Sequence, residues 1–354
     1  QVQPQELRYS AADIPAKAQH FFVRVQAEHP ESAEFLSTLD GTLQREAELV
    51  LESNLARFKE YGVNNASLLL AELPDMRVRA YVGSAGYLDE NILGYGNGLA
   101  GQRSPGSALK PFIYALALDQ GKLIPESMLS DVPIRLASYK PENFERNFLG
   151  PISATDALVR SRNIPALEVF RLLEDSTFYR FLGQGGVRGL LPEEHYGIAL
   201  VLGGLGITAE EIAQLYGVIG RNGSFERLKF LSAETSSKEP PILLSPEASF
   251  LVRDMLSHNP PALGRFREQK IPWKTGTSYG SKDAWAVGFV GKYVLVVWLG
   301  NFDGKPNANL SGRDFAGPVY FSMVDRIAST RFLLPPALPN TKLNLKKVEV
   351  CALT

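Results

Sequence analysis

The sequence is poor in the residues that most often carry chemistry by themselves. It holds one cysteine, Cys351, in 354 residues, so it closes no disulfide within itself and offers no thiol cluster to a metal. Its four histidines, His20, His29, His195 and His258, stand at no metal-ligand spacing and read as ordinary surface or core side chains. No metal and no cofactor are expected. Charge of one sign is also missing: Lys+Arg 37 against Asp+Glu 38 leaves a net charge of -1. That excludes a basic face for nucleic acid, and no like-charge block marks a membrane-surface patch. Long apolar runs are absent too. The longest, about Ile198 to Ile207, has three glycines inside it and is too short to span a bilayer. The sequence opens at Gln1 without a basic and apolar leader, which fits either a soluble protein or a piece whose membrane anchor lies outside it.

What is present is ordinary globular material. Hydrophobic residues make up 45% and charged residues 21%, in a chain long enough to bury a large core. Residues 1–36, with Pro4, Pro15 and Pro30, read as an irregular linker. A helix is expected over 40–61, capped by Asp40, with Leu43, Ala47, Val50, Leu51, Leu55 and Phe58 at helical spacing and Gly62 as its stop. Together these make a linker or pedestal region over 1–61. The main domain is placed at 62–334. A tail at 335–354 would begin a further, truncated domain.

Within the main domain, 67–73 and 77–82 flank Pro74-Asp75 as a hairpin. A glycine-rich loop over 83–106 leads to a helix that runs from Ser107 to about Gly121. Residues 122–152 show no periodicity. Helices are expected at 154–160, capped by Ser153 with Asp156, at 165–174, 177–182 and 209–221, the last capped by Thr208 with Glu211, and at 246–257 behind Ser245. Strands follow at 271–278, 284–290 and 293–299, the last two joined by Gly291-Lys292, then a helix near 318–329. Strands first, helices in the middle and strands again predict an α/β (α+β) fold. An antiparallel sheet flanked by helices is completed across a helical lobe.

Three segments carry chemistry. In Arg103-Ser-Pro-Gly-Ser-Ala-Leu-Lys-Pro-Phe112, Ser107 stands at a helix mouth and Lys110 one turn on, so both side chains share a face. The amides of the first turn supply donors for a developing oxyanion, and the amine could serve the hydroxyl as base. Alone, Ser-x-x-Lys is also what an ordinary helix start looks like, and about one or two arise by chance at this length. The second segment is Ser161-Arg162-Asn163, where a hydroxyl and a carboxamide can face one pocket. Ser257-His258-Asn259 matches the same pattern, but it precedes Pro260-Pro261, where a helix stops, whereas Pro165 fixes the turn behind the first. The third is Lys274-Thr275-Gly276-Thr277 on a strand. It joins a cation and hydroxyls for a carboxylate to a glycine that lets a ligand backbone lie against the strand.

Two further patterns are decoys. Gly96 to Gly101 fits G-x-G-x-x-G, but the preceding strand ends near Val82 and Pro105 delays the helix, so a nucleotide site is set aside in favour of a loop beside the catalytic corner. Glu174-Asp175-Ser176-Thr177-Phe178 mimics E-D-x-x-F but sits between the second and third segments. It reads as a helix-to-helix turn capped by Asp175 or Ser176.

The ordered triple Ser107-x-x-Lys110, Ser161-x-Asn163, Lys274-Thr275-Gly276 resembles the serine transpeptidases and β-lactamases that react with penicillin. RSPGSALKPF, SRNIPA and WKTGTSYGSKDAWAVGF narrow the likeness to the transpeptidase domain of bifunctional class A penicillin-binding proteins, the 1C subgroup above all, from roughly Ala18 to Leu334. One position departs: the family usually has threonine where this chain has Ala108, beside the chemistry rather than in it. The glycan-polymerising domain of such proteins is absent from this sequence.

The resemblance implies roles. Ser107 is the acyl-accepting nucleophile, Lys110 its base, and Ser161 a proton shuttle toward the leaving amine. Asn163 binds a substrate amide. Lys274 sets the positive potential, Thr275 and Thr277 bind the terminal carboxylate, and Gly276 lets the substrate lie close. The amides of Ser107 and Thr277 form the oxyanion hole. The implied partners are peptidoglycan stem peptides ending in D-Ala-D-Ala and β-lactams as covalent inhibitors, with no nucleic acid. The implied location is the periplasmic, extracytoplasmic face of the inner membrane, reached through an anchor not present in this sequence. The alternatives are a DD-carboxypeptidase or β-lactamase-type hydrolase, and a non-catalytic penicillin-binding sensor or scaffold. A class A lactamase would carry a deacylating glutamate, and no convincing E-x-x-x-N stands between Asn163 and Lys274.

Overall fold

Leucine, valine and aromatic residues gather between turn formers in five places, and these become one sheet. The computed structural model describes residues 17–32, 34–135, 141–263, 266, 268–330 and 342–350. Strand β1 (Asn65–Glu72) turns through Pro74-Asp75 into β2 (Arg77–Val82). A separate two-stranded ribbon, β3 (Met128–Asp131) with β4 (Gly150–Ser153), lies in the helical lobe. Strands β5 (Trp273–Thr277), β6 (Asp283–Val290) and β7 (Tyr293–Gly300) complete the main sheet in the antiparallel order β2-β1-β7-β6-β5. The first hairpin therefore joins the last across the whole helical insert, with Leu69 opposite Val296.

Ten α-helices are seen among the described residues: α1 (Gln19–Glu28), α2 (Gly41–Phe58), α3 (Lys110–Asp119), α4 (Ala154–Val159), α5 (Asn163–Leu172), α6 (Thr177–Gln184), α7 (Glu193–Tyr196), α8 (Ala209–Gly220), α9 (Pro246–Ser257) and α10 (Gly317–Thr330). Caps set several starts. Asp40 accepts from the amides of Thr42 and Leu43, Ser245 from Ala248, and Thr208 forms a reciprocal capping box with Glu211.

Both faces of the sheet are covered. Leu69, Val296 and Trp298 pack into one core with Phe112, Leu215 and Leu256 of α3, α8 and α9. Leu68, Leu295 and Val297 pack into a second with Val50 and Leu51 of α2 and Val324 of α10. Burial on both sides explains why β7 reads as an unbroken apolar run instead of an alternating one. Each such side chain contributes about 1.5–3 kcal/mol.

Three expectations are corrected. Residues 1–36 are not irregular throughout, because α1 lies within them. Its N-cap, Ala18, has no side-chain cap and a left-handed backbone, so no local signal announces it. Residues 122–152 hold β3 and all but the last residue of β4, four residues each and too short to show a period. The helix expected at Ser107 starts three residues later, behind a 3-10 turn over Gly106–Leu109. Of the tail at 335–354, only 342–350 are described, without regular structure, and 335–341 and 351–354 lie outside the described residues.

Candidate active site

The tight turn Gly106–Leu109 carries Ser107, and Lys110 opens α3 directly behind it. The turn consumes some of the amides expected to face Ser107, since Ala108 N–H donates to the Pro105 carbonyl and Lys110 N–H to the Ser107 carbonyl. Lys110 is fully buried, and its Nζ donates to the carbonyls of Ser161 at 2.7 Å and Arg162 at 3.1 Å and to Asn163 Oδ1 at 2.6 Å. Burial first, and the neighbouring Lys274 cation second, push its amine well below the ordinary lysine value.

The Ser161–Asn163 turn connects α4 to α5. Ser161 adopts φ 59°, a left-handed conformation rare for a residue other than glycine. Its Oγ accepts from Lys274 Nζ at 2.8 Å, and the same Nζ donates to the Thr275 carbonyl at 2.9 Å. Lys274 is also fully buried, and burial, then the Arg313 cation, draw its pKa down to about 7. Asn163 donates from Nδ2 to the Glu142 carbonyl at 2.7 Å.

Strand β5 is brought against the serine turn by two glycines. A Cβ on Gly276 would lie 2.2 Å from the Pro105 carbonyl oxygen, and one on Gly106 would lie 2.2 Å from the Thr277 oxygen. Gly106 also has φ 51°, which disfavours any side chain. This contact sets the amide of Thr277 beside the turn that bears Ser107, as an oxyanion pocket requires. The Thr277 hydroxyl accepts from Gly312 N–H at 3.0 Å and keeps its own proton to donate. Ser107, Lys110, Ser161, Asn163, Lys274, Gly276 and Thr277 are thus gathered in one place, with Thr275 on the same strand.

The other patterns fall elsewhere. Asn259 is buried behind β5, donating to the Trp273 carbonyl at 3.1 Å, so the second Ser-x-Asn match serves packing. The loop at Gly96–Gly101 packs closely on β1, where a Cβ on Gly98 would come within 2.2 Å of Ser67 Oγ. Glu174 to Phe178 does form a turn into α6, but its N-cap Ser176 makes no capping bond and its hydroxyl instead donates to Glu193.

Several neighbours went unread in the sequence. Gly203 presses on Gly106, where a Cβ would lie 2.4 Å from its nitrogen. Ser104 Oγ donates to the Gly203 carbonyl at 2.7 Å, and Trp285 Nε1 donates to the Ser104 carbonyl at 2.9 Å. Between these segments opens a cleft of about 810 Å³, bordered by Ser104, Ile198, Leu202, Gly203 and the exposed Tyr279. It adjoins the serine turn without containing Ser107 or either lysine. Asp131 and Asn143, in the stretch without periodicity, hold the Ser161–Asn163 turn. Only Arg162, inside the motif, hinted at them.

Comparison with known proteins follows the same outline. The family model described as the penicillin binding protein transpeptidase domain matches residues 66–313. Penicillin-binding protein 1C of Escherichia coli is 35% identical over 314 residues, covering 88% of this chain and 40% of that protein. Penicillin-binding protein 1B of Buchnera aphidicola is 26% identical over 335 residues, covering 88% and 44%. The chain therefore spans less than half the length of these curated relatives. Among solved structures, the PonA1 protein of Mycobacterium tuberculosis in complex with penicillin V superposes with a TM-score of 0.69 at 20% identity, covering 94% of this chain and 93% of that one. Penicillin-binding protein 1A of Haemophilus influenzae does so at 0.65 and 23%, covering 79% and 49%. The family match runs across the serine turn, the Ser161–Asn163 turn and the lysine-bearing strand alike, and on that ground the chain belongs to the penicillin-binding protein transpeptidase family.

Proposed function

We propose that this chain is a peptidoglycan DD-transpeptidase that works through an acyl-enzyme on Ser107. The observation that carries this is the pair of buried lysines on either side of Ser161, next to the turn that holds Ser107. A serine at its free pKa is a poor nucleophile and needs a base, and a lysine amine serves only when burial holds it neutral. Burial, with the Lys274 cation beside it, pushes the Lys110 amine toward its neutral form.

The reaction runs in two halves, acylation of the serine and transfer to an amine. As an ammonium, Lys110 satisfies three acceptors on the Ser161–Asn163 turn. As a neutral amine it releases one of them and turns its lone pair to the Ser107 hydroxyl. Ser107 Oγ then attacks the carbonyl carbon between the two terminal D-alanines, and its proton passes to Lys110. The oxyanion is met by the amides of Ser107 and Thr277, and losing one such donor costs roughly 3–4 kcal/mol. The C–N bond breaks as the leaving amine takes a proton relayed through Ser161 from the lysine pair. An amine of a neighbouring stem attacks the ester, Ser107 leaves with its proton restored, and the new amide is the cross-link. Thr275 and Thr277 hold the terminal carboxylate in the positive potential of Lys274, Asn163 holds a substrate amide, and Gly276, read in the sequence as room for a substrate backbone, instead lets β5 lie against the serine turn. A β-lactam opens on the same serine and stays.

The working unit is 62–334, with 1–61 as a pedestal, acting outside the cytoplasmic membrane. Intact mass after benzylpenicillin is the test. Wild type gains one penicillin on the peptide that holds Ser107, and Ser107→Ala gains none; equal labelling of both ends the proposal. Rapid loss of the label from wild type would favour the hydrolase reading.

A further inference from the structure

The middle residue of the Ser161–Asn163 turn has no part in the chemistry above, yet it is the best-bonded side chain near it. The Arg162 side chain is 4% exposed. Its Nε donates to Asp131 Oδ2 at 2.8 Å, Nη1 to Glu145 Oε2 at 2.9 Å, and Nη2 to Asn147 Oδ1 at 3.0 Å and to the Asn147 carbonyl. Asp131, at the end of β3, is fully buried. Its Oδ1 accepts from Asn143 Nδ2 at 2.7 Å, and Oδ2 also accepts from Leu149 N–H at 3.1 Å. Asn143, also buried, accepts on Oδ1 from the Asn163 backbone N–H at 2.8 Å. The guanidinium and the carboxamide thus clamp both sides of a turn whose two carbonyls point at Lys110.

Such a clamp has work to do. The left-handed Ser161 costs of order 1 kcal/mol or more and persists only where its surroundings over-determine it. The turn must also present two carbonyls and one carboxamide oxygen to a single nitrogen.

We propose that Arg162, acting through Asp131 and Asn143, is the positioning residue that fixes the Ser161–Asn163 turn around the Lys110 amine and thereby sets how readily Ser107 is acylated. The inference rests on the acyl-enzyme reading above. Without the guanidinium, buried Asp131 keeps only the Asn143 amide and the Leu149 N–H, Glu145 and Asn147 lose the donor that joins them to it, and the carbonyls around Lys110 drift. The charged groups that act on Lys110 are Lys274 from β5, Glu145 from the β3–β4 connection, Arg162 and Asp131. The two cations favour its neutral form, and the two carboxylates favour the ammonium.

The test is the second-order rate of acylation by a fluorescent penicillin, followed from about pH 5 to about pH 9. Wild type is compared with Arg162→Met, Arg162→Lys and Glu145→Gln, each with its melting temperature. Arg162→Met is expected to acylate about 10- to 100-fold more slowly, with the acid limb of its profile moved to higher pH. Arg162→Lys keeps the charge but not the fork, so it is slow with its limb near the wild-type position. Glu145→Gln, at a half-exposed site, keeps its stability and moves the limb to lower pH. A folded Arg162→Met that acylates at the wild-type rate, or slowly with an unmoved limb, overturns the inference. Should Arg162→Met not fold, a Glu145→Gln limb that stays put or moves up overturns it instead. A wild type that takes no label would sink the acyl-enzyme reading, a different result from either.

Discussion

At the residue scale, two buried lysines set a tension between stability and activity. Lys274 carries a pKa of about 7 in the fold, against 10.5 for an ordinary lysine. Between those values the unfolded chain binds a proton that the folded one refuses, so this residue makes stability rise with pH from about 7 toward 10.5. Lys274→Met should therefore melt at a higher temperature than wild type at neutral pH, by roughly 1–2 kcal/mol of stability. The gap should narrow toward pH 10. The same variant should lose penicillin capture, because the cation facing Ser161 is gone. Calorimetry beside fluorescent labelling checks both, and a melting temperature below wild type would count against the buried-charge account. Gly276→Ala is the opposite kind of change. Its methyl meets a backbone oxygen at 2.2 Å, so either β5 or the serine turn must move. Acylation should fall about 100-fold while the circular dichroism spectrum stays native.

At the element scale, α1 is the part that local reading missed. His20 bonds through Nε2 to the carbonyls of Gly94 at 2.9 Å and Gly96 at 3.1 Å. Arg24 pairs at 3.1 Å with Glu210, a buried carboxylate that also accepts from Tyr81 at 2.7 Å. Asn97 in turn donates to the Tyr81 hydroxyl at 2.8 Å. Thus α1 docks on both α8 and the loop that leads to the serine turn. Removing the cation leaves buried Glu210 without its ion-pair partner and with only the Tyr81 hydroxyl named above, so Arg24→Met should cost about 3 kcal/mol in urea unfolding. Burial holds His20 below its usual 6.5, so its share of the docking is present above that pH and fades as the pH falls below it. Protection against amide exchange over 84–96, corrected for the intrinsic rate at each pH, should weaken as the pH falls below 6.5, and His20→Gln should abolish that dependence.

Among the helices that were legible, α2, α4, α8 and α9 start at Asp40, Ser153, Thr208 and Ser245, whose side chains close the first turn locally. Helix α1 has no such cap, and β3 with β4 has no length. Both exist because of what they touch.

At the scale of the whole molecule, the sheet is wedged between two cores, and the site draws on elements from both sides of it. Trp273, Trp285 and Trp298 are fully buried in β5, β6 and β7. Their fluorescence therefore reports the sheet itself. In a urea titration, the shift of tryptophan emission and the loss of penicillin capture should coincide, because β5 cannot leave the serine turn without breaking the sheet. Capture lost at clearly lower urea would show that the lobes part first. The acylated protein should unfold at higher urea than the free one.

The sequence by itself determined the three motif segments, their order and the capped helices, because each depends on residue types at short spacing. It also carried β1, β6 and β7, since burial on both faces forces apolar runs that need no partner to be seen. Only the tertiary structure decided that Lys110 and Lys274 share Ser161, that Gly203 and Gly276 close on the serine turn, and that Arg162 finds Asp131 and Asn143. Those are contacts between residues tens to hundreds of positions apart. Burial and chain crossing create them, and no local periodicity records them.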